Sequence, residues 1–168
     1  MSHAPLTLLT LLSAQAADDC PTCAITKVRG NYRTIHTEIT IDAPPEQVWA
    51  VLTDWGALSE WSPTIQGVTG AVSDGAVVMV DYVHPGNGKL LHTEHTFLVE
   101  AGVSYGRSDP VIGGVTDNHH YRIEALPDGR TRLVQDDVVD GGLLARLLLG
   151  TFMEFNTALK ERVESQAD

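Results

Sequence analysis

The chain has 168 residues, and 43% of them are hydrophobic, so it can form one domain with a core that needs no metal or disulfide support. Lys and Arg total 11 against 22 Asp and Glu, which gives a formal net charge of -11. Such a surface repels phosphate backbones and anionic membranes, and the longest basic cluster, Lys27, Arg29 and Arg33, is too small for a nucleic-acid-binding face. We therefore expect no nucleic-acid partner and no stable membrane insertion.

Residues 1–16 have the composition of a candidate signal peptide. They contain no charged side chain, include an apolar run at residues 5–12 and end in Ala14-Gln15-Ala16, a small-x-small cleavage pattern. The run is shorter than the roughly 20 residues that span a bilayer. Because no Lys or Arg precedes it, a misassigned start or a short hydrophobic helix is the alternative. With a signal peptide the protein is exported, periplasmic or secreted, and without one it is cytoplasmic.

Two cysteines, Cys20 and Cys23, lie in residues 17–31, which we interpret as an N-terminal extension. A redox-active Cys-x-x-Cys pair usually precedes a helix, but residues 24–30 lack an amphipathic helical pattern. A zinc site would need a second pair of ligands, and haem attachment would need a histidine in place of Ala24. The motif therefore predicts a small disulfide in an oxidising compartment or two unreactive thiols.

The part of the chain that follows begins with a strand and two short helices. Residues 34–41 alternate and are rich in β-branched side chains, which predicts a strand. Pro44 and Pro45 end this strand, because proline cannot continue the ladder. A helix is predicted over residues 46–53, since Pro45 suits a first helical turn, and a second short helical segment is predicted over residues 54–63.

Six further strands follow, separated by turn motifs rich in Gly, Pro, Asn and Asp. They are predicted at residues 65–72, 77–83, 90–100, 103–107, 119–125 and 131–139. One long amphipathic helix, from residue 142 to about residue 166, ends the domain, which we assign to residues 32–168. Its apolar face is too extensive to face solvent, so we expect the helix to lie across an antiparallel sheet.

Several sequence stretches lie within this element order: DAPPEQVWAVLTDW at residues 42–55, EWSP at 60–63, HHYRIEA at 119–125, DGRTRLVQDD at 128–137 and DGGLL at 140–144. Together with the element order, they resemble the START-like superfamily, also called SRPBCC, which includes polyketide cyclase/dehydrase and lipid transport proteins. The resemblance covers about residues 32–165. It implies an α+β helix-grip fold, in which a curved antiparallel β-sheet wraps around a long C-terminal α-helix and two short helices follow the first strand. The superfamily holds binders, carriers and unrelated enzymes, so it implies a fold rather than a reaction.

In this superfamily the space between the concave face of the sheet and the helix is the ligand site, and the resemblance implies such a cavity here. Strand alternation indicates which side chains face it. We expect an apolar and aromatic wall with few polar groups, suited to a ligand with a hydrophobic body and one or two hydrogen-bonding ends. The predicted cavity residues are Val80, Tyr82, Val103, Tyr105, His119, Tyr121, Ile123, Leu133, Gln135, Asp137, Leu148, Phe152 and Phe155. A filled core with a few satisfied polar groups is the alternative.

A catalytic interpretation uses His119 as general acid or base and Asp137 to orient or charge it, in aldol cyclisation or dehydration of a polyketide-like substrate. Both residues are predicted on the inward face, although a buried histidine beside an acid is often only structural. No metal site is predicted, because His119 and His120, like His92 and His95, lie on opposite faces of their strands. No cofactor is predicted either.

These observations leave three hypotheses. The first is a carrier or sensor that binds a small hydrophobic molecule, lipid-like or aromatic, without turnover. The second is a cyclase or dehydratase, a lyase or isomerase that uses His119 and Asp137. The third is a protein-interaction module with no ligand. The sequence specifies neither the ligand, because hydrophobic walls select size and shape weakly, nor the oligomeric state.

Overall fold

The computed structural model of the protein describes residues 20–111 and 115–166, and the side chains in these ranges except those between residues 108 and 118. The predicted signal peptide at residues 1–16 lies outside this part of the chain. The described elements are β1 (Ala24–Lys27), β2 (Tyr32–Ile41), α1 (Pro45–Thr53), α2 (Leu58–Trp61), β3 (Ile65–Thr69), β4 (Val77–Val83), β5 (Leu90–Glu100), β6 (Ser104–Val111), β7 (Val115–Ala125), β8 (Thr131–Asp140) and α3 (Gly142–Glu164).

The strands form one antiparallel sheet in the order β1-β2-β8-β7-β6-β5-β4-β3. From β3 to β8 the chain runs back and forth between neighbouring strands, as the turn motifs predict. β2 then pairs with β8 over its whole length, from Tyr32 opposite Asp140 to Ile41 opposite Thr131. The predicted helix-grip fold, with two short helices after the first long strand and one long C-terminal helix, is confirmed.

The first strand of the sheet, β1, is absent from the sequence-based prediction. It pairs with β2, with Ala24 opposite His36 and Lys27 opposite Arg33. A disulfide joins Cys20 and Cys23 immediately before it. β1 is short and mostly exposed, so its sequence carries no strong hydrophobic alternation, and pairing with β2 rather than propensity makes it a strand. Part of the N-terminal extension thus continues the sheet.

The long helix α3 lies against the concave face of the sheet. Gly141 precedes it with a φ angle of 110°, a conformation that favours glycine, and this residue turns the chain from β8 into the helix. Phe155, Leu159 and Val163 of α3 are buried in the main hydrophobic core together with residues of α1, α2 and the sheet. No helix in the described ranges is both long and apolar enough to cross a membrane.

Candidate functional site

A cavity of about 360 Å³ lies between the concave face of the sheet and the first part of α3. Its wall is mainly apolar and aromatic, with a small number of polar side chains. Ten residues predicted from the sequence line it: Val80, Tyr82, Tyr105, His119, Tyr121, Gln135, Asp137, Leu148, Phe152 and Phe155. The space between sheet and helix is therefore not filled by side chains, contrary to the alternative of a filled core.

Three residues predicted for the cavity wall lie elsewhere. Val103 precedes β6 in a turn, where its backbone N–H donates to the Glu100 carbonyl oxygen at 2.9 Å and its side chain is 38% exposed. Ile123 and Leu133 are opposite each other on β7 and β8, in a part of the sheet where the core is filled. Alternation along a strand sets the face of a side chain, whereas the position of the helix decides which part of that face stays open.

Arg107 of β6 is the main cavity residue that the sequence-based prediction missed. Arg107 follows Tyr105 by two residues, so strand alternation alone would place it on the concave face. Sequence reasoning missed it because charged side chains are usually exposed to solvent. Further wall residues come from the segment after α1, from β3 and β5, and from the β4–β5 turn; they include Trp55, Ile65, Phe97, His84 and Pro85.

Aromatic rings in contact with one another form one side of the cavity. Tyr105 stacks on Phe97 with 5.6 Å between ring centroids, and its ring is 5.0 Å from that of Tyr121. His119 stacks on Phe152 of α3 at 4.5 Å, and Tyr121 is 5.3 Å from Phe155. Rings packed against one another in this way have little freedom to move, so the wall is rigid and apolar.

A chain of hydrogen bonds fixes the orientation of His119, whose Nε2 lies 3.0 Å from Gln135 Oε1. Gln135 Nε2 donates to the Phe152 carbonyl oxygen at 3.2 Å and to Asn156 Oδ1 at 2.5 Å, and Asn156 Nδ2 donates to Thr37 Oγ1 at 3.1 Å. A backbone carbonyl only accepts hydrogen bonds, so the amide nitrogen of Gln135 faces Phe152 and its oxygen faces His119. His119 therefore donates a proton from Nε2 to Gln135.

The pKa of His119 is lowered to about 3, chiefly because burial penalises the charged ring and secondly because of the positive charge of Arg107, while the hydrogen bond with Gln135 acts in the opposite direction. The ring is therefore neutral around pH 7. Asp137, whose Oδ1 accepts a hydrogen bond from the Val138 N–H at 2.8 Å, is buried in the same wall. The hydrogen bond that orients the His119 ring is made with Gln135, whereas the catalytic hypothesis assigned this role to Asp137.

Two of the tyrosines that line the cavity, Tyr105 and Tyr121, keep their protons. Burial raises the pKa of Tyr105 and of Tyr121 above the usual value of 10. Arg107 lowers and Asp137 raises the pKa of Tyr121, which shows that both charges act on this part of the wall. The wall therefore offers neutral hydroxyl groups at physiological pH.

Arg107 brings a positive charge to this wall. Its Nη1 donates to His95 Nε2 at 3.1 Å, and the same nitrogen of His95 lies 2.7 Å from Thr93 Oγ1. Arg107 Nε is buried and has no hydrogen-bond partner among the described residues. Since a guanidinium group keeps its charge at any physiological pH, the apolar cavity contains a permanent cation.

Close contact between β6 and β7 depends on Gly106, which also lines the cavity. A Cβ atom at this position would lie 2.5 Å from the His119 carbonyl oxygen and 2.6 Å from His120 Nδ1. Both distances are shorter than contacts that real side chains make. Glycine is therefore needed here because of space, and it holds Arg107 and His119 opposite each other on adjacent strands.

Residues 32–166, which include every described strand except β1 and the three described helices, match the family described as polyketide cyclase / dehydrase and lipid transport. The chain belongs to this family. The match begins at Tyr32, the first residue of β2, and so excludes the disulfide and β1. The START-like superfamily recognised from the sequence is thus confirmed, and the family holds proteins that bind small hydrophobic molecules.

Solved structures of the same fold agree with this assignment. A START superfamily protein from Mycobacterium smegmatis is 19% identical, with a TM-score of 0.64 over 79% of this chain and 98% of that one. The Zhui aromatase/cyclase from Streptomyces sp. R1128 is 18% identical, with a TM-score of 0.64 over 82% of this chain and 96% of that one. A protein from Thermus thermophilus is 18% identical, with a TM-score of 0.61 over 80% and 99% of the two chains. These likenesses concern the fold alone.

No curated protein matches the sequence of this family member. Its site must therefore be interpreted from its own residues. In the part of the chain that the structure describes, no group of three or more His, Cys, Asp or Glu side chains is arranged to hold a metal ion. The cavity wall instead offers apolar surface, hydroxyl groups, the neutral imidazole of His119, the positive charge of Arg107 and the carboxyl group of Asp137.

Proposed function

We propose that the protein is a carrier or sensor that binds a small hydrophobic molecule, lipid-like or aromatic, in the cavity between the sheet and α3. The observation that carries this proposal is the cavity of about 360 Å³ with its apolar, aromatic wall. Cavities of a few hundred Å³ with apolar walls and a few fixed polar groups are typical of small-molecule sites. Family membership supports the same conclusion, because the family includes lipid transport proteins.

The chemistry of His119 favours binding over catalysis. A general acid or base works best when its pKa lies near the operating pH, and the pKa of His119 is about 3. Its Nε2 proton is already donated to Gln135, and Gln135 is itself held by Phe152 and Asn156. One similar structure is that of an aromatase/cyclase, but in this chain the histidine is better suited to orient a ligand than to transfer protons.

A fluorescence titration with N-phenyl-1-naphthylamine, a neutral aromatic probe that emits in apolar surroundings, tests the proposal. We expect saturable binding to the wild-type protein. Leu144→Trp places a larger side chain in the cavity wall, so it should weaken binding about tenfold or more. Leu143→Trp is the matched control, because Leu143 is the adjacent residue of α3, is 74% exposed and does not line the cavity.

The binding of the probe by Leu144→Trp and by Leu143→Trp shows whether the ligand site is inside the cavity. Weakened binding in Leu144→Trp with unchanged binding in Leu143→Trp supports a ligand inside the cavity. Equal binding by all three proteins would contradict the proposal, because it would place the probe on the surface. Absence of binding by the wild-type protein would favour the interaction module.

We also propose that the protein acts in an oxidising compartment after export. The disulfide between Cys20 and Cys23 supports this, because disulfides persist outside the reducing cytosol. The mass of the protein purified from its own host tests the proposal. We expect a chain that begins at Ala17 and has two fewer hydrogen atoms than the reduced form, and a chain that retains residues 1–16 would contradict the proposal.

A further inference from the structure

We propose that Arg107 binds a carboxylate, so that the ligand of this cavity is a hydrophobic acid; the inference rests on the proposed function of binding a hydrophobic molecule. Arg107 lines the cavity, and its guanidinium group is charged at any physiological pH. In the described part of the chain, no carboxylate forms an ion pair with it. A charge in an apolar wall without a counterion is costly unless a ligand supplies one.

Among the described residues, the hydrogen bonds of Arg107 leave the Nε–Nη2 edge of the guanidinium group without an acceptor. Nη1 donates to His95 Nε2 at 3.1 Å. Nε is buried and unpartnered among the described residues, and buried polar groups in proteins nearly always have partners. Nε and Nη2 form the edge that a carboxylate binds with two parallel hydrogen bonds. The edge that remains therefore has the geometry that suits a carboxylate.

Among the residues whose side chains the structure describes, the neighbours of Arg107 form no ion pair with it. His119 lies opposite it in the β6–β7 ladder and is neutral, with its pKa lowered to about 3. The acids in the cavity wall, Asp137 and Asp140, are on β8, which β7 separates from β6. Two strand spacings amount to about 10 Å between backbones. Neither Asp137 nor Asp140 forms an ion pair with Arg107, so its charge remains available to an anionic group.

The other residues of the cavity wall indicate the chemical nature of the hydrophobic part of this acid. Around Arg107 the cavity is lined by Phe97, Tyr105 and Tyr121, and Phe152 of α3 stacks on His119. These surfaces suit an apolar chain or ring system. Because the whole protein has a formal net charge of -11, its long-range field repels anions. A preference for an acid over the matching neutral molecule would therefore have to come from a local cation.

Displacement of N-phenyl-1-naphthylamine by decanoate and by decanol tests the inference, because the two competitors share an apolar chain and differ in the carboxylate. We expect decanoate to displace the probe from the wild-type protein at a concentration at least about tenfold lower than decanol. Arg107→Gln should remove this preference while decanol competes as before. Arg122→Gln is the matched control, because it removes the same charge from an exposed residue outside the cavity.

The neutral probe also reports whether each variant is folded. If Arg107→Gln does not fold, Arg107→Met is the second neutral variant, since its thioether needs no hydrogen-bond partner, and it should lose the preference in the same way. Equal competition by decanoate and decanol on the wild-type protein would overturn the inference while leaving the proposed function intact. So would a preference that survives in a folded neutral variant. Failure of the wild-type protein to bind the probe would overturn both proposals.

Discussion

Strands β7 and β8 pass through two different environments. Where Ile123 is opposite Leu133, the strands contribute to a filled core that also contains Leu159 and Val163 of α3, and we call this region the closed half. At the other end of the same strands, His119 and Asp137 face the cavity together with Leu144 and Leu148 of α3, and we call this region the open half. One sheet and one helix form both halves.

The comparison shows how a single interface between sheet and helix can contain a filled core at one end and an open cavity at the other. In the closed half the side chains are hydrophobic and almost inaccessible, so burial there is the main source of stability. In the open half several polar groups are buried but bonded to one another, from His119 through Gln135 and Asn156 to Thr37. Satisfied polar groups keep the wall in place where no side chain fills the space. The open half is therefore free to accept a ligand.

The largest expected difference between the halves comes from shortening leucines of α3. Leu159→Ala in the closed half should lower the free energy of unfolding by about 2–5 kcal/mol, because it opens a new void in a filled core. Leu148→Ala in the open half only enlarges an existing cavity, so we expect a loss of about 1 kcal/mol. Urea denaturation of both variants checks this. Equal losses would show that the two halves are packed alike.

Replacing a glycine by alanine should change the stability by a smaller amount, and the sign of the change should differ between Gly106 and Gly150. Gly106→Ala should destabilise the protein by about 1–3 kcal/mol, because its Cβ would collide with the β7 backbone. Gly150→Ala, on the exposed side of α3 with nothing within 4 Å, should stabilise it by about 0.5–1 kcal/mol. Thermal denaturation of both variants measures the signs. Stabilisation by Gly106→Ala would contradict the close approach of β6 and β7.

The pH dependence of stability reports on the protonation of His119 in the open half. The pKa of His119 is about 3 in the folded protein and about 6.5 when unfolded, so the unfolded state binds more protons between these values. The stability that the neutral ring contributes is present above pH 6.5 and is lost as the pH falls towards 3. Its slope reaches at most about 1.4 kcal/mol per pH unit.

The variant His119→Gln cannot take up this proton, so its free energy of unfolding should fall less steeply than that of the wild-type protein between about pH 6.5 and about pH 4. Urea denaturation at several pH values in this range makes the measurement. Parallel curves for the two proteins would show that the His119 ring is solvated rather than buried in the cavity wall.

The sequence predicted the fold well because its signals are local. Alternation and turn motifs placed β4 and β5 at the bounds that the structure has, and helical periodicity predicted α3 to within about two residues. The exposed strand β1 has no such pattern and was missed. Its position depends on pairing with β2, which is a contact between distant residues and leaves no local signal.

The candidate site was predicted in part. Alternation assigned Tyr121 and Gln135 to the concave face, and both line the cavity. It could not separate them from Ile123 and Leu133, which share that face, because the distance of α3 from the sheet depends on the packing of the whole domain. The partner of His119 was also beyond the sequence, since Gln135 is fixed by contacts from α3.

Methyl NMR of the protein with selectively labelled Leu and Val side chains tests the division between the two halves most directly. When decanol is added, we expect shift changes for the methyl groups of Val80, Leu144 and Leu148, which line the cavity, and none for those of Leu159 and Val163 in the closed half. Shift changes confined to exposed leucines such as Leu143, or spread evenly over both halves, would contradict the claim that the cavity is where a hydrophobic molecule binds.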